Sequence, residues 1–185
     1  MDAPIREFFE KIDGLRDPEA VAKVLAELAS ERDYFEALVA PIDPDAMGGL
    51  PLHVPDQGPR MFLMHRPRGV MSYVHSHGTW AAVAPVRGVE THRRYDVVEE
   101  IAPGRARVIV ADERRLEPGD SAVVVPPADI HSHGHVGGSD ETPYTLIVTG
   151  DDQLKFARRE YDAAAATFRE LPPGDFGTLN LPTVS

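Results

Sequence analysis

Residues 69–88 read GVMSYVHSHGTWAAVAPVRG. Short runs of β-branched, aromatic and small apolar residues, with glycine at either end, are the grammar of strands. Within this stretch stands His75-Ser76-His77-Gly78. Residues i and i+2 of a strand share a face, so His75 and His77 point the same way and are placed to chelate a divalent cation. The competing reading is two hydrated histidines at a strand end. The same tetrapeptide returns as His131-Ser132-His133-Gly134, so the two copies hold four of the chain's 8 histidines, and His135 follows directly.

The second copy follows VVVPPADI, a buried strand ending in a turn, and precedes GHVGGSDE, whose glycines predict a loop. His131 adjoins the strand and is held firmly, whereas His133 and His135 are expected on mobile backbone. The economical arrangement is one site with His75, His77 and His131 as ligands. His133 and His135 are then candidates for an additional metal contact or for support around the ligands. Glu90 and His92 lie two apart on the next strand and are candidates for the same supporting role, against a solvated strand face.

Outward from this centre the chain divides into segments. PIREFFEKI spaces Ile5, Phe8, Phe9 and Ile12 as a helix, with Gly14 stopping it. A second helix begins with Asp17 as N-cap and Pro18 at its first position, buries Val21, Val24, Leu25 and Leu28, and breaks near Ser30 before restarting toward Val39. From about Leu50 short apolar runs alternate with Pro/Gly punctuation, which predicts a β-barrel or sandwich. DDQLKFARREYDAAAATFREL reads as a helix ended by Pro172-Pro173-Gly174. The expected plan is one domain over 1–185: a helical prelude (1–45), a β-barrel (50–150), a helix (151–171) and an extended tail (172–185).

Composition narrows the function. A formal net charge of −11 at pH 7 argues against a polyanionic partner such as nucleic acid. With no cysteine there is no disulfide, thiolate-bound zinc, iron–sulfur cluster or cysteine nucleophile. The N-terminus lacks the apolar core of a secretory signal, and no run approaches the ~20 apolar residues of a membrane span. A soluble cytoplasmic protein without membrane contact is expected.

The stretch 69–88 resembles the first cupin motif, G-x5-H-x-H-x3,4-E-x6-G, with Gly69, His75, His77 and Gly88 in register and Ala81 where the glutamate falls. PGDSAVVVPPADIH resembles the second, with Pro126 and His131 in place, Ala128 where glycine is usual, Gly119 one residue early and His135 replacing the common Asn. Without the glutamate three histidines remain. Within the cupins the chain is similar to the thiol dioxygenases, relatives of cysteine and 3-mercaptopropionate dioxygenase. Their H-x-H-x-x-W…G-x-E-x-x-x-x-Y run is matched by His75, His77, Trp80, Gly88, Glu90 and Tyr95. The resemblance covers about two thirds of the chain. It implies an RmlC-like double-stranded β-helix, or jelly-roll barrel, with N-terminal helices and a C-terminal helix. It also implies Fe(II) held by three histidines, with O2 and a small molecule as substrates. The Ser-x-His-x-Tyr run of bacterial members is absent: Thr145, Ile147 and Thr149 occupy that strand.

Three neutral ligands on one octahedral face leave the opposite face open and the ion's +2 charge intact, which favours an anionic substrate such as a thiolate or enolate. Both oxygen atoms of O2 would end on that substrate. Zn, Ni or Mn acting as Lewis acid for a lyase or isomerase is the alternative, and a non-catalytic ligand-binding cupin is a third reading. Tyr73, Trp80 and Thr145 are candidates for lining the substrate pocket, against barrel-core or plain strand positions. Arg66, Arg68, Arg93 and Arg94 are candidates for a substrate carboxylate, against surface charge. Protonation of free-histidine-like ligands would release metal as pH falls through about 6. A homodimer is a candidate assembly, with the tail from Gly174 crossing to a second copy.

Overall fold

A computed structural model of the chain describes residues 1–136 and 141–175. Three helices, α1 (Ala3–Ile12), α2 (Pro18–Ala29) and α3 (Arg32–Val39), precede the strands. The strands are β1 (Gly48–His53), β2 (Arg60–His65), β3 (Val74–His75), β4 (Ala81–Arg87), β5 (Glu90–Ala102), β6 (Arg105–Leu116), β7 (Ala122–Val124), β8 (His131–Gly134), β9 (Tyr144–Thr149), β10 (Arg158–Asp162) and β11 (Thr167–Leu171). They form two antiparallel sheets, ordered β1-β2-β9-β4-β7 and β11-β10-β3-β8-β5-β6. The inner faces meet in one core, where Met64, Val83 and Ile147 of the first sheet pack with Leu116 of the second. This is the curled two-sheet build of a double-stranded β-helix. Among the described residues no helix is long and apolar enough to cross a membrane.

Period-2 alternation assigns the faces of the first sheet. On β9, Thr145, Ile147 and Thr149 turn inward, while Tyr144, Leu146 and Val148 turn outward into a second apolar cluster. The helices supply the other half of that cluster: Ile5, Phe8 and Ile12 from α1, Val21, Ala22, Leu25 and Leu28 from α2, and Phe35 and Val39 from α3. Ala82 and Ala84 on β4 are small enough to let α2 approach the sheet closely. Both faces of the sheet are thereby covered, which is why all six residues of β9 are buried. The expected helix signals hold: the Asp17 side chain accepts from the Glu19 N–H at 3.1 Å, and the helical run breaks at Ser30.

Two expectations are corrected. Residues 151–171 form no long helix but a short helical turn (Gln153–Lys155) followed by the β10–β11 hairpin. The alanines that read as helix make the hairpin loop, where the Asp162 carboxylate accepts from the Ala164 and Ala165 N–H groups at 3.0 and 2.9 Å. Pairing of β10 with β3 and the tilted contact of Tyr161 with Phe168 outweigh the helical propensity of the run. The second correction concerns His133, which lies on a buried strand and not in a loop. Gly134 there serves close approach: a Cβ would meet the Val70 carbonyl oxygen at 2.3 Å. Of the tail expected over 172–185, residues 176–185 lie outside the described residues.

Leu25 is fully buried between α2 and the sheet. Leu25→Ala is expected to destabilise the chain by about 2–5 kcal/mol, read as a lower urea midpoint with unchanged slope.

Candidate metal centre

The site starts from one cross-strand pair. His75 on β3 stands directly opposite His131 on β8, and Glu160 on β10 flanks His75 from the other side. Residues opposite one another in an antiparallel pair share a face, so both imidazoles point into the barrel. His77 joins them just past β3, where its own N–H and that of Gly78 donate to the Asp129 carboxylate at 2.9 and 2.8 Å. Gly78 has φ of +68°, and a Cβ there would lie 2.5 Å from that of Phe156, so only glycine fits this turn.

The Nε2 atoms of His75 and His77 are 3.2 Å apart, those of His77 and His131 2.9 Å, and all three donors lie within 4.8 Å of one another. Two donors at right angles on an ion about 2.1 Å away stand about 3.0 Å apart, and the His75–His77 and His77–His131 separations match that edge. The tautomers follow from the outer nitrogens. His75 Nδ1 donates to the Tyr73 carbonyl at 2.8 Å, and His77 Nδ1 donates to Gln153 Oε1 at 2.9 Å. Their Nε2 atoms therefore present bare lone pairs to each other, a repulsive contact that a proton or a cation must bridge. Burial opposes the proton. It pushes His77 down to about 4, and holds His75 and His131 well below the ordinary imidazole value, with neighbouring imidazoles adding to the effect. The three-histidine cluster could bind a metal ion.

Outer contacts fix the remaining rings. His131 Nδ1 lies 2.9 Å from His92 Nε2, and His133 Nδ1 lies 3.2 Å from Glu90 Oε2, which also accepts the Thr145 hydroxyl at 2.7 Å. Burial lowers His92 to about 4. Burial alone would raise the Glu90 carboxyl, but His133 and the hydrogen bonds from His133 and Thr145 together bring it below its ordinary value. A cavity of about 230 Å³ opens on this cluster. His75, His77 and His133 form one wall, Arg60, Phe62 and Met64 of β2 with Arg66 just past it another, and Ile147, Gln153 and Leu154 close it.

Of the residues expected around the ligands, His92 contacts His131 and Glu90 contacts His133, and Arg66 lines the cavity. Thr145 is buried one layer behind, through Glu90. Tyr73 is corrected: its side chain is 62% exposed, and only its carbonyl serves the site. Trp80 is corrected too, because it packs in the helix-side cluster and against Gly150. Arg93 and Arg94 pair with Glu113 and Asp96, and the side chain of Arg68 is exposed. His135 is buried but outside the cluster, its Nδ1 accepting from the Gly69 N–H at 3.1 Å. Sequence reading missed Asp129 and Gln153. Asp129 stands two residues before His131, a readable signal, whereas Gln153 was hidden by the helical reading of 151–171.

No protein-family model matches the chain, and no curated protein matches it. Solved structures resemble it in part. The DMSP lyase DddQ from Ruegeria pomeroyi DSS-3 is 18% identical with a TM-score of 0.43, over 62% of this chain and 51% of that one. A cupin superfamily protein from Desulfitobacterium hafniense DCB-2 is 14% identical with a TM-score of 0.42, over 58% and 80%. A protein with a double-stranded β-helix domain from Klebsiella pneumoniae is 13% identical with a TM-score of 0.43, over 67% and 83%. This chain thus spans about half the length of DddQ. Identities and scores this low concern the fold and say nothing of the chemistry.

The lowered imidazoles set a pH dependence. Between about 4 and 6.5 the unfolded chain binds protons that folded His77 and His92 do not, so stability is full above about 6.5 and falls as pH drops toward 4. In metal-free protein the unfolding free energy from urea titrations should fall as pH drops from about 6.5 to 4.5, by roughly 1 kcal/mol per pH unit for each such imidazole. With the ligand imidazoles held below their ordinary value, proton-driven metal release is expected at lower pH than the value of about 6 set by free histidine; dialysis at pH 5.5 followed by metal analysis reads this.

Proposed function

We propose that this chain is a small metal-dependent cupin enzyme, an Fe(II) oxygenase of the thiol-dioxygenase kind acting on a small anionic substrate. The observation that carries the reading is the donor set: three neutral imidazoles on one face, no carboxylate among the clustered donors, and a cavity on the open side. Bound there, iron would keep its +2 charge and supply an electrophilic, redox-active centre for an anionic donor and O2.

The chain's own residues do the rest. Phe62, Met64, Ile147 and Leu154 give the cavity an apolar wall that excludes water. At about 230 Å³ it has room for a substrate occupying roughly eight water volumes of ~30 Å³. Arg66 is buried at the cavity wall, and its Nε has no hydrogen-bond partner among the described residues. That guanidinium is the group to hold a substrate carboxylate. Arg60 is partly neutralised by Asp152 at 2.9 Å and is the weaker claimant.

One observation favours a second reading, a lyase or isomerase using Zn, Ni or Mn as Lewis acid. His133, hydrogen-bonded to Glu90, stands on the cavity wall where a proton-abstracting group would be needed.

Metal analysis of untagged protein, followed by oxygen uptake with a panel of small thiols, separates the two. The oxygenase reading expects iron and thiol-dependent uptake; zinc or nickel with no uptake supports the lyase or isomerase; an empty site is the result expected of a non-catalytic binder. His75→Ala and His131→Ala should each cut iron content sharply. Arg66→Gln should leave iron content unchanged and raise KM for carboxylate-bearing thiols by about tenfold or more, the size expected for a lost charge-assisted hydrogen bond.

A further inference from the structure

The duplicated tetrapeptide has a geometric consequence that three ligands do not use up. Copies 75–78 and 131–134 lie on antiparallel neighbours with His75 opposite His131. In each copy a second histidine follows the paired one by two residues, His77 just past β3 and His133 within β8. The outer wiring repeats as well. All four rings engage Nδ1 outward: His75 with the Tyr73 carbonyl, His77 with Gln153, His131 with His92 and His133 with Glu90. In three of them Nε2 belongs to the cluster already described. The fourth, on His133, makes no hydrogen bond among the described residues, although the residue is 3% exposed and lines the cavity. An imidazole whose far nitrogen donates to a carboxylate is wired as metal-ligating histidines usually are.

We propose that His133 Nε2 is a fourth nitrogen donor to the ion held by His75, His77 and His131. This rests on the metal centre of the preceding reading and deepens it. The His133 ring stands 5.5 Å from His131 and 6.3 Å from His75, against 4.7–5.0 Å among the other three. To reach an ion held by those three, the His133 ring would have to move inward, with Glu90 following through its hydrogen bond. The second copy then supplies two donors, as the first does.

Pulsed EPR of apoprotein loaded with Cu(II) counts coordinated imidazoles directly. Four are expected in the wild type and three in His133→Asn, whose amide N–H can still donate to Glu90 while the inner nitrogen is gone. Competition against a chromophoric chelator should show Zn(II) affinity falling by about tenfold or more in the same variant, with an unchanged circular dichroism spectrum. Three imidazoles in both proteins, with equal Zn(II) affinity, overturns the fourth donor and leaves the three-histidine centre standing. A wild type that takes up neither ion overturns both. His133→Gln, tested alongside, guards against a folding defect peculiar to the first variant.

Discussion

The register that sets His75 against His131 is the constraint on which the site depends. One residue of slip on β3 or β8 would turn its histidines to the opposite face. Several devices hold the register. β10 closes the far side of β3, Ser76 exchanges hydrogen bonds with the Arg159 backbone, and Asp129 gathers the N–H groups of His77 and Gly78. β3 itself is only two residues long. The position of its histidine therefore comes from neighbouring strands.

Burial gives the arrangement its chemistry and makes it costly. Neutral imidazoles clustered away from water disfavour protonation, since each charge would lack solvation and face other rings. The outer nitrogens are satisfied one by one, and the inner lone pairs are left converging. Such a cluster is frustrated by itself and relieved by a cation. The dryness behind it originates far from the histidines, in the helical prelude. By covering the outer face of the first sheet, α1 to α3 keep β9 and β4 buried on both sides.

Much of this was legible in the sequence because it is local. H-x-H in a strand dictates a shared face, Asp17-Pro18 dictates a helix start, and the Pro/Gly punctuation dictates short strands. What was not legible depends on tertiary context. The alanine run at 163–166 has helical propensity, and only pairing of the flanking strands with β3 and with each other makes it a loop. Gly134 looked like loop grammar because nothing in the sequence shows the Val70 carbonyl against it. Trp80 follows the turn at Gly78 and packs on the helix side of the first sheet, and Tyr73, two residues before His75, stands ahead of β3 and is turned out to solvent. Nearness to the ligands in sequence therefore does not carry over to the cavity wall.

The missing Ser-x-His-x-Tyr run gains a physical sense from the same sheet geometry. On β9 the inward positions are Thr145, Ile147 and Thr149, which offer hydroxyls but no group that exchanges protons near neutral pH. The polar chain beside the ligands runs instead across three strands, from Thr145 on β9 to Glu90 on β5 to His133 on β8. The imidazole and carboxylate here stand on β8 and its neighbour β5, with the His133 ring two residues from His131 and on the wall of the same cavity. The wall beside the three histidines is thus wired differently from the run that the resemblance of the first motif implies, and the thiol reading proposed above rests on the ligands more than on their surroundings.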